Sequence, residues 1–297
     1  MADQVAENER RLWRVPEHLT DIRLDAFVRK CLPHISRKEI DAAVREKLFL
    51  INGRVAKKGQ QLGAGDTLVF DGPEQWLATE PPADFEIDVP IVYEDSVILV
   101  LNKPAGIATH GFSGRDTSTL ANFLLSRWPG LGAIGKSRWE PGLVHRLDSD
   151  TSGLIVIAKT QTAFENLRLQ FQRRQITKKY LALVGGKTPA EGTIKESLMH
   201  DPRDSRKMHP VKALSRKRKH KAWRAVTHYR KLGEADNVSL LEIEMITGVT
   251  HQIRVHLASI GHAIIGDILY GADSETFGLK RHFLHASRLA FSHPSDG

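Results

Sequence analysis

A single cysteine, Cys31, stands among the 297 residues. One thiol excludes an intrachain disulfide and a cysteine-based zinc site, and it suits a reducing compartment, so the chain reads as cytoplasmic. Long apolar runs are missing as well. The first twenty residues are polar and carry both charge signs, with no stretch long enough for a secretory leader or a membrane span. Internal repeats and low-complexity tracts are absent too. What is present is ordinary globular composition, 41% hydrophobic and 26% charged, over a length sufficient for two domains with cores of their own.

Negative charge is the scarcer sign, and its scarcity is local. The net charge is +8. Residues 168–231 hold 19 Lys or Arg against 4 acidic residues, a net of +15, so the remainder of the chain sums to −7. The densest part is Arg216-Lys217-Arg218-Lys219-His220-Lys221. A field of this kind attracts nucleic acid through phosphate neutralisation and counterion release without reading sequence. RNA and DNA are equally compatible with charge alone.

The first module runs over residues 19–72. Ile22, Leu24, Phe27, Val28 and Leu32 form an apolar stripe at three- and four-residue spacing, which predicts a short helix closed by Pro33. Ser36-Arg37-Lys38-Glu39 is a capping box opening a second helix whose inward face is Ile40, Ala43, Val44 and Leu48. Phe49-Leu50-Ile51 then enters Asn52-Gly53, a tight-turn dipeptide, and Gly65-Asp66 precedes a strand from Thr67 to Phe70. Two helices and a small sheet of this order resemble the S4 RNA-binding domain. That resemblance implies that the second helix and the following turn, with Arg37, Lys38, Arg45, Arg54, Lys57 and Lys58, meet structured RNA. Residues 19–61 hold 10 basic and 5 acidic residues.

Residues 73–90 contain Pro73, Pro81, Pro82 and Pro90 among acidic side chains, and are expected to be an extended linker that lets the first module move. A second domain, residues 91–297, alternates strand-like runs (Val97 to Leu101, Leu154 to Ala158, Tyr180 to Val184, Val238 to Ile246) with helix-like ones (Ser118 to Arg127, Thr162 to Arg173). Long crossovers between such strands favour an α+β domain on a mixed, largely antiparallel sheet.

The most informative stretch is Val144-His145-Arg146-Leu147-Asp148-Ser149-Asp150-Thr151-Ser152-Gly153, which runs into the apolar Leu154-Ile155-Val156-Ile157-Ala158-Lys159. It places a carboxylate, Asp148, in a turn between strands, where it serves either as a turn-forming Asx side chain or as a nucleophile or base facing a cleft. His-Arg-Leu-Asp, two free positions, Thr-Ser-Gly and a strand ending Ala-Lys together resemble the active-site motif of the pseudouridine synthases that modify large-subunit ribosomal RNA and transfer RNA. Further matching stretches occur in order: Leu101 to Gly106 with His110, Lys178 to Val184, Thr250 to Leu257, Gly261 to Asp267 with Tyr270-Gly271, and Leu284 to Ala286. The resemblance covers about two hundred residues, and the α+β fold follows from it as well.

The resemblance implies isomerisation of uridine to pseudouridine, in ribosomal RNA ahead of transfer RNA, with no cofactor, no metal and no obligate protein partner, by a monomer. The bond from N1 of the base to the ribose C1′ breaks, the base turns, and C5 bonds to C1′. A carboxylate can divide such a step covalently, either at the base or at the sugar. Asp148 is then the nucleophile and Arg254 the guanidinium that keeps it ionised and oriented. Tyr180 packs on the extruded uracil and assists proton loss from C5. Arg146 is the wedge that fills the vacated stack, a phosphate contact or a structural salt bridge being its other readings. His145 and His110 shape the pocket, and Lys178 and Lys179 join the S4 basic residues as RNA contacts.

Two departures stand out. The family usually carries Arg or Lys after the Thr-Gly of the downstream motif, whereas this chain has Thr247-Gly248-Val249-Thr250, so a phosphate contact is expected to be missing. The chain also stops at Ser295-Asp296-Gly297, where relatives commonly add a strand. Of the 14 histidines, His251 and His256 are five apart and diverge by about 140° on a helix, while His282 and His285 could converge, without a supporting cysteine or carboxylate pattern for a metal. Two other readings compete with the synthase. One is a non-catalytic RNA-binding ribosome assembly factor, for which Val249 speaks. The other is a base-releasing N-glycosylase using Asp148 and Asp150.

Overall fold

The computed structural model describes residues 11–33, 35–111, 113–211, 221–271 and 278–295. The basic run at residues 216–220 therefore lies outside the described residues. Local chemistry sets the N-terminal elements: β1 (Arg11–Arg14), β2 (Ile22–Arg23), α1 (Leu24–Cys31), α2 (Arg37–Arg45), β3 (Phe49–Ile51), β4 (Arg54–Val55), β5 (Gln61–Leu62) and β6 (Thr67–Phe70). Ile22 is in a strand, not the helix, because Arg23 is extended and α1 starts after it. Both halves of the capping box form at α2: Ser36 Oγ accepts from Glu39 N–H and Glu39 Oε2 accepts from Ser36 N–H. Asn52 and Gly53 take φ of 49° and 76°, the left-handed pair that a two-residue hairpin between β3 and β4 needs.

The strands form two small sheets, β1-β6-β3-β4 and β2-β5. β1 pairs along β6 although it precedes residue 19, and its mostly exposed Arg-Leu-Trp-Arg sequence gave no apolar alternation to reveal it. Leu24, Phe27 and Val28 of α1 share a core with Ile40 and Ala43 of α2 and with Phe49 and Phe70, whose rings meet edge to face at 5.3 Å.

Residues 73–90 do not run free. Trp76 and Leu77, in a 3-10 turn over Glu74–Leu77, bury into the first core. Arg115 of the second domain lies 3.7 Å over the Trp76 ring and 3.6 Å from Glu46, and Asn122 Nδ2 donates to the Pro82 carbonyl at 2.6 Å. The expectation of a loose extended linker is revised accordingly: its prolines stiffen it, and its aromatic residue anchors it.

The second domain comprises β7 (Ile91–Glu94), β8 (Ile98–Lys103), α3 (Leu120–Arg127), β9 (Ser152–Ala158), α4 (Gln161–Gln172), β10 (Thr177–Gly185), β11 (Glu191–Ile194), β12 (Ser197–His200), β13 (Met208–Val211), β14 (Thr227–Ala235), β15 (Val238–Met245), α5 (Gln252–Ser259) and β16 (Leu284–Ala290). Among the described residues, eight strands make one sheet in the order β11-β14-β15-β10-β16-β9-β8-β7, and β12-β13 form a separate hairpin. Its neighbours are antiparallel except β9 and β16, which run parallel with Ala286 opposite Gly153. The centre of the sheet is buried on both faces. Leu99, Leu101, Ile155 and Ile157 pack with Leu120, Phe123 and Leu124 of α3, while Ile98, Val156 and Ala158 pack with Phe164 and Leu167 of α4, the alternation that a pleated strand imposes. Architecture is thus α+β, as the sequence implied.

Candidate active site

The turn that joins Leu147 to β9 is tied down by backbone carbonyls and hydroxyls. The fully buried Lys103 ammonium donates to the carbonyls of Pro104, Ile107 and Ser149 at 2.8, 2.8 and 3.0 Å. Burial lowers its pKa to about 8, and the nearby Asp150 and Asp148 oppose that fall. Thr109 Oγ1 donates to the Leu147 carbonyl and accepts from the Leu147 N–H. Thr151 N–H donates to the Asp148 carbonyl, and Thr151 Oγ1 and Ser152 Oγ bond to His282 Nε2 and His285 Nδ1. The two histidines that could have met at a metal are thus each engaged by a hydroxyl of this turn.

Asp148 stands where the turn meets a cleft of about 660 Å³, lined among others by His145, Lys178, Tyr180, Val249 and Arg254. A second cleft of about 550 Å³ shares Asp148, His251 and Arg254 with it and carries Arg206, Lys207, Lys280 and Arg281. Arg254, on α5 and buried, donates from Nη1 to Asp148 Oδ2 at 3.0 Å. Its Nε and Nη2 donate to the two oxygens of buried Asp267 at 2.7 and 2.9 Å, a planar fork that lysine lacks. Burial opposes the guanidinium charge, but the bonds and charges of Asp267 and Asp148 outweigh it, and the pKa is raised.

Tyr180, on β10, is buried, and burial followed by the Asp148 charge pushes its hydroxyl pKa up, so it remains a phenol. Lys178 lies two residues earlier on the same face of the strand and also enters the cleft, with its pKa lowered by burial to about 8. Lys179 points to the other face, where it pairs with Glu242 at 3.1 Å, so the structure does not bring it to the cleft. His145 lines the cleft as a neutral ring. Its Nε2 accepts from Val156 N–H, the ring stacks beside Phe171 at 4.8 Å, and burial lowers its pKa to about 3. His110 does not line either cleft and faces Glu140 at 3.4 Å. Arg146 is exposed at the rim of both clefts.

On the first module, Arg37, Lys38, Arg54, Lys57 and Lys58 are all exposed, with Arg37 beside Asp25 and Lys58 beside Asp41. Val249, where a basic residue was expected, is half-buried against a cluster that includes Trp223, Val255 and Tyr270. His251 caps α5 in a left-handed conformation, φ 54°, which costs about 1–2 kcal/mol for a non-glycine residue. Asp267, Tyr270, Lys103 and Thr109 carried no role in the sequence reading. No periodicity links Asp267 to Arg254, thirteen residues before it and on another element.

Known proteins resemble this chain in both of its domains. The sequence model described as RNA pseudouridylate synthase matches residues 97–259, and that of the S4 domain matches residues 22–68. An uncharacterized RNA pseudouridine synthase of Chloroflexus aurantiacus is 40% identical over 99% of this chain and 89% of its own length. The ribosomal large subunit pseudouridine synthase D of Neisseria meningitidis is 36% identical, over 98% of this chain and 78% of its own. Among solved structures, human RNA pseudouridylate synthase domain containing 1 superposes with a TM-score of 0.56 at 28% identity, over 70% of this chain and 80% of its own.

Proposed function

The chain belongs to the RNA pseudouridylate synthase family, and from that premise we propose that it isomerises particular uridines of large-subunit ribosomal RNA, with Asp148 as nucleophile and transfer RNA as the next substrate class. It is an RNA pseudouridine synthase, and its S4 domain implies RNA binding. The observation that carries the assignment of Asp148 is its ion pair with Arg254, itself held by Asp267, on the wall of a cleft that Tyr180 also lines. Ribosomal RNA is favoured by the similarity to the ribosomal large subunit pseudouridine synthase of Neisseria, and the basic segment 168–231 supports binding to a nucleic acid. The enzyme acts in the cytoplasm as a monomer without a cofactor.

In this reading the target nucleotide leaves its stack and enters the cleft, with Arg146 taking the vacated place. The N1–C1′ bond breaks with its electron pair on N1, Asp148 forms and later releases a covalent bond, C5 bonds to C1′, and the C5 proton is lost while N1 gains one. Atoms balance without a co-reactant. A protonated Tyr180 suits packing against uracil, and makes it a weak base for the C5 proton. Val249 alters affinity for RNA and leaves the chemistry in place.

Tritium at uridine C5 reports the reaction directly. Incubated with ribosomal RNA so labelled, the protein is expected to release tritium to water, and Asp148→Asn is expected to release none while binding RNA nearly as well. Full activity in Asp148→Asn would sink the assignment of the nucleophile. Free uracil in place of pseudouridine would indicate hydrolysis.

A further inference from the structure

Arg254 is not the only side chain turned toward the carboxylate. His251 Nε2 lies 3.9 Å from Asp148 Oδ2, the same oxygen that Arg254 binds. The loop bearing His251 is fixed from both ends. Gln252 accepts from Thr247 Oγ1–H and Val249 N–H and donates to the Val226 carbonyl and Thr227 Oγ1. On the other side, His251 Nδ1 meets Tyr270 Oη at 2.8 Å, and that oxygen accepts from Met208 N–H at 2.9 Å. The Tyr270 ring also lies beneath the Arg254 guanidinium, 5.1 Å from its centre. One tyrosine thus supports both partners of Asp148.

Hydrogen-bond accounting selects a tautomer. Tyr270 burial pushes its hydroxyl up to about 12, so it keeps its proton, and burial holds the His251 imidazole below its usual range and neutral. With Met208 N–H already donating to Oη, the phenol proton is free to go to His251 Nδ1, which leaves the imidazole hydrogen on Nε2, aimed at Asp148. The opposite tautomer would turn a nitrogen lone pair toward a carboxylate. The left-handed backbone at His251 persists because these bonds hold it, a pattern found where a site needs a side chain aimed.

We propose that His251, with its tautomer set by Tyr270, is a positioning residue that joins Arg254 on Oδ2 of Asp148 and so leaves Oδ1 as the oxygen offered to the uridine. The proposal rests on Asp148 being the nucleophile. It predicts that closing the gap of 3.9 Å around a bound nucleotide forms the Nε2–H bond. His251 does not touch the reacting atoms; it acts through the carboxylate.

The experiment compares His251→Leu, His251→Gln and Tyr270→Phe with the parent chain in the tritium assay at saturating ribosomal RNA. Leucine and glutamine are similar in size and meet the same backbone penalty, so their comparison isolates the donor. His251→Leu and Tyr270→Phe are expected to lose about 10- to 100-fold in kcat with KM nearly unchanged, and His251→Gln, whose amide N–H can replace Nε2–H, is expected to recover most of that loss. Unchanged kcat in His251→Leu, or equal losses in His251→Leu and His251→Gln, would overturn the proposal. Tyr270→Phe keeps the ring under Arg254 and gives a second test should His251→Leu fold poorly. Tritium release by the parent chain and its loss in Asp148→Asn test the functional reading separately, so the two can fail independently.

Discussion

Lys178 carries a charge that its burial makes conditional. A Cβ built on Gly248 would meet its Nζ at 3.7 Å, so its ammonium sits beside the Thr247-Gly248-Val249 loop, where the family usually brings a cation. Its bond to the Thr247 carbonyl is long, 3.4 Å, and leaves protons for an incoming phosphate. The pKa is lowered by burial to about 8, so the cation is complete below that pH and is lost as pH rises through it. Between about 8 and the ordinary value of 10.5 the unfolded chain binds more protons, and stability rises with pH across that window while RNA affinity falls. Affinity for ribosomal RNA is therefore expected to drop between pH 7 and 9. Lys178→Met is expected to bind roughly tenfold more weakly at pH 7 and to lose most of that pH slope. Titration of fluorescent RNA at several pH values checks both, and an unchanged slope in Lys178→Met would assign the titration elsewhere. The neighbouring Lys179 shares none of this, because one residue along a strand reverses the face and delivers it to Glu242.

At the scale of elements, the parallel contact of β9 with β16 sets the distance between the Asp148 turn and the rest of the sheet. Gly153 makes it possible. It has φ +118°, and a Cβ there would lie 2.3 Å from the Ala286 oxygen and 2.5 Å from the Ala286 nitrogen, both backbone atoms that cannot swing aside. Gly153→Ala is expected to cost about 2–4 kcal/mol, from overpacking and an unfavourable φ together, and to lower kcat by displacing Asp148. Denaturant midpoints and the tritium assay measure the two effects. The sequence reading begins this strand at Leu154, whereas β9 begins at Ser152 and includes the glycine, since the approach of β16 comes from residues more than a hundred positions later. The same limit runs through the site. The capping box at Ser36, the Asn52-Gly53 hairpin and the apolar runs of β9 and β10 are local, and they were legible. The order of eight strands, the Asp267 fork under Arg254 and the hydroxyls that occupy His282 and His285 are non-local, and a single sequence has no term that pairs them. Where long-range pairing was anticipated, as for Asp148 with Arg254, it came from the resemblance and not from periodicity.

For the whole molecule, the question is how an RNA-binding module affects a site on another domain. The two are joined by a docked segment: besides the stack of Arg115 on Trp76, Asp84 N–H donates to the Asn122 carbonyl and Ser118 Oγ to Asp84. Gly114 is the tightest point of that dock, since a Cβ there would fall 2.0 Å from the Gln75 carbonyl oxygen and 2.5 Å from Ala78 Cβ. A docked module presents its basic surface at a fixed distance from the cleft, and this raises the effective concentration of one site for RNA already held at the other. A loosened module forfeits part of that gain without touching the chemistry. Gly114→Ala is accordingly expected to raise KM for long ribosomal RNA by roughly tenfold, to leave kcat at saturation within about twofold, and to leave KM for a short stem-loop that reaches only the cleft unchanged. Steady-state tritium release on the two substrates separates the terms. An equal rise in KM on both would locate the effect in the cleft, and no rise on the long RNA would mean that the first module binds independently of its dock.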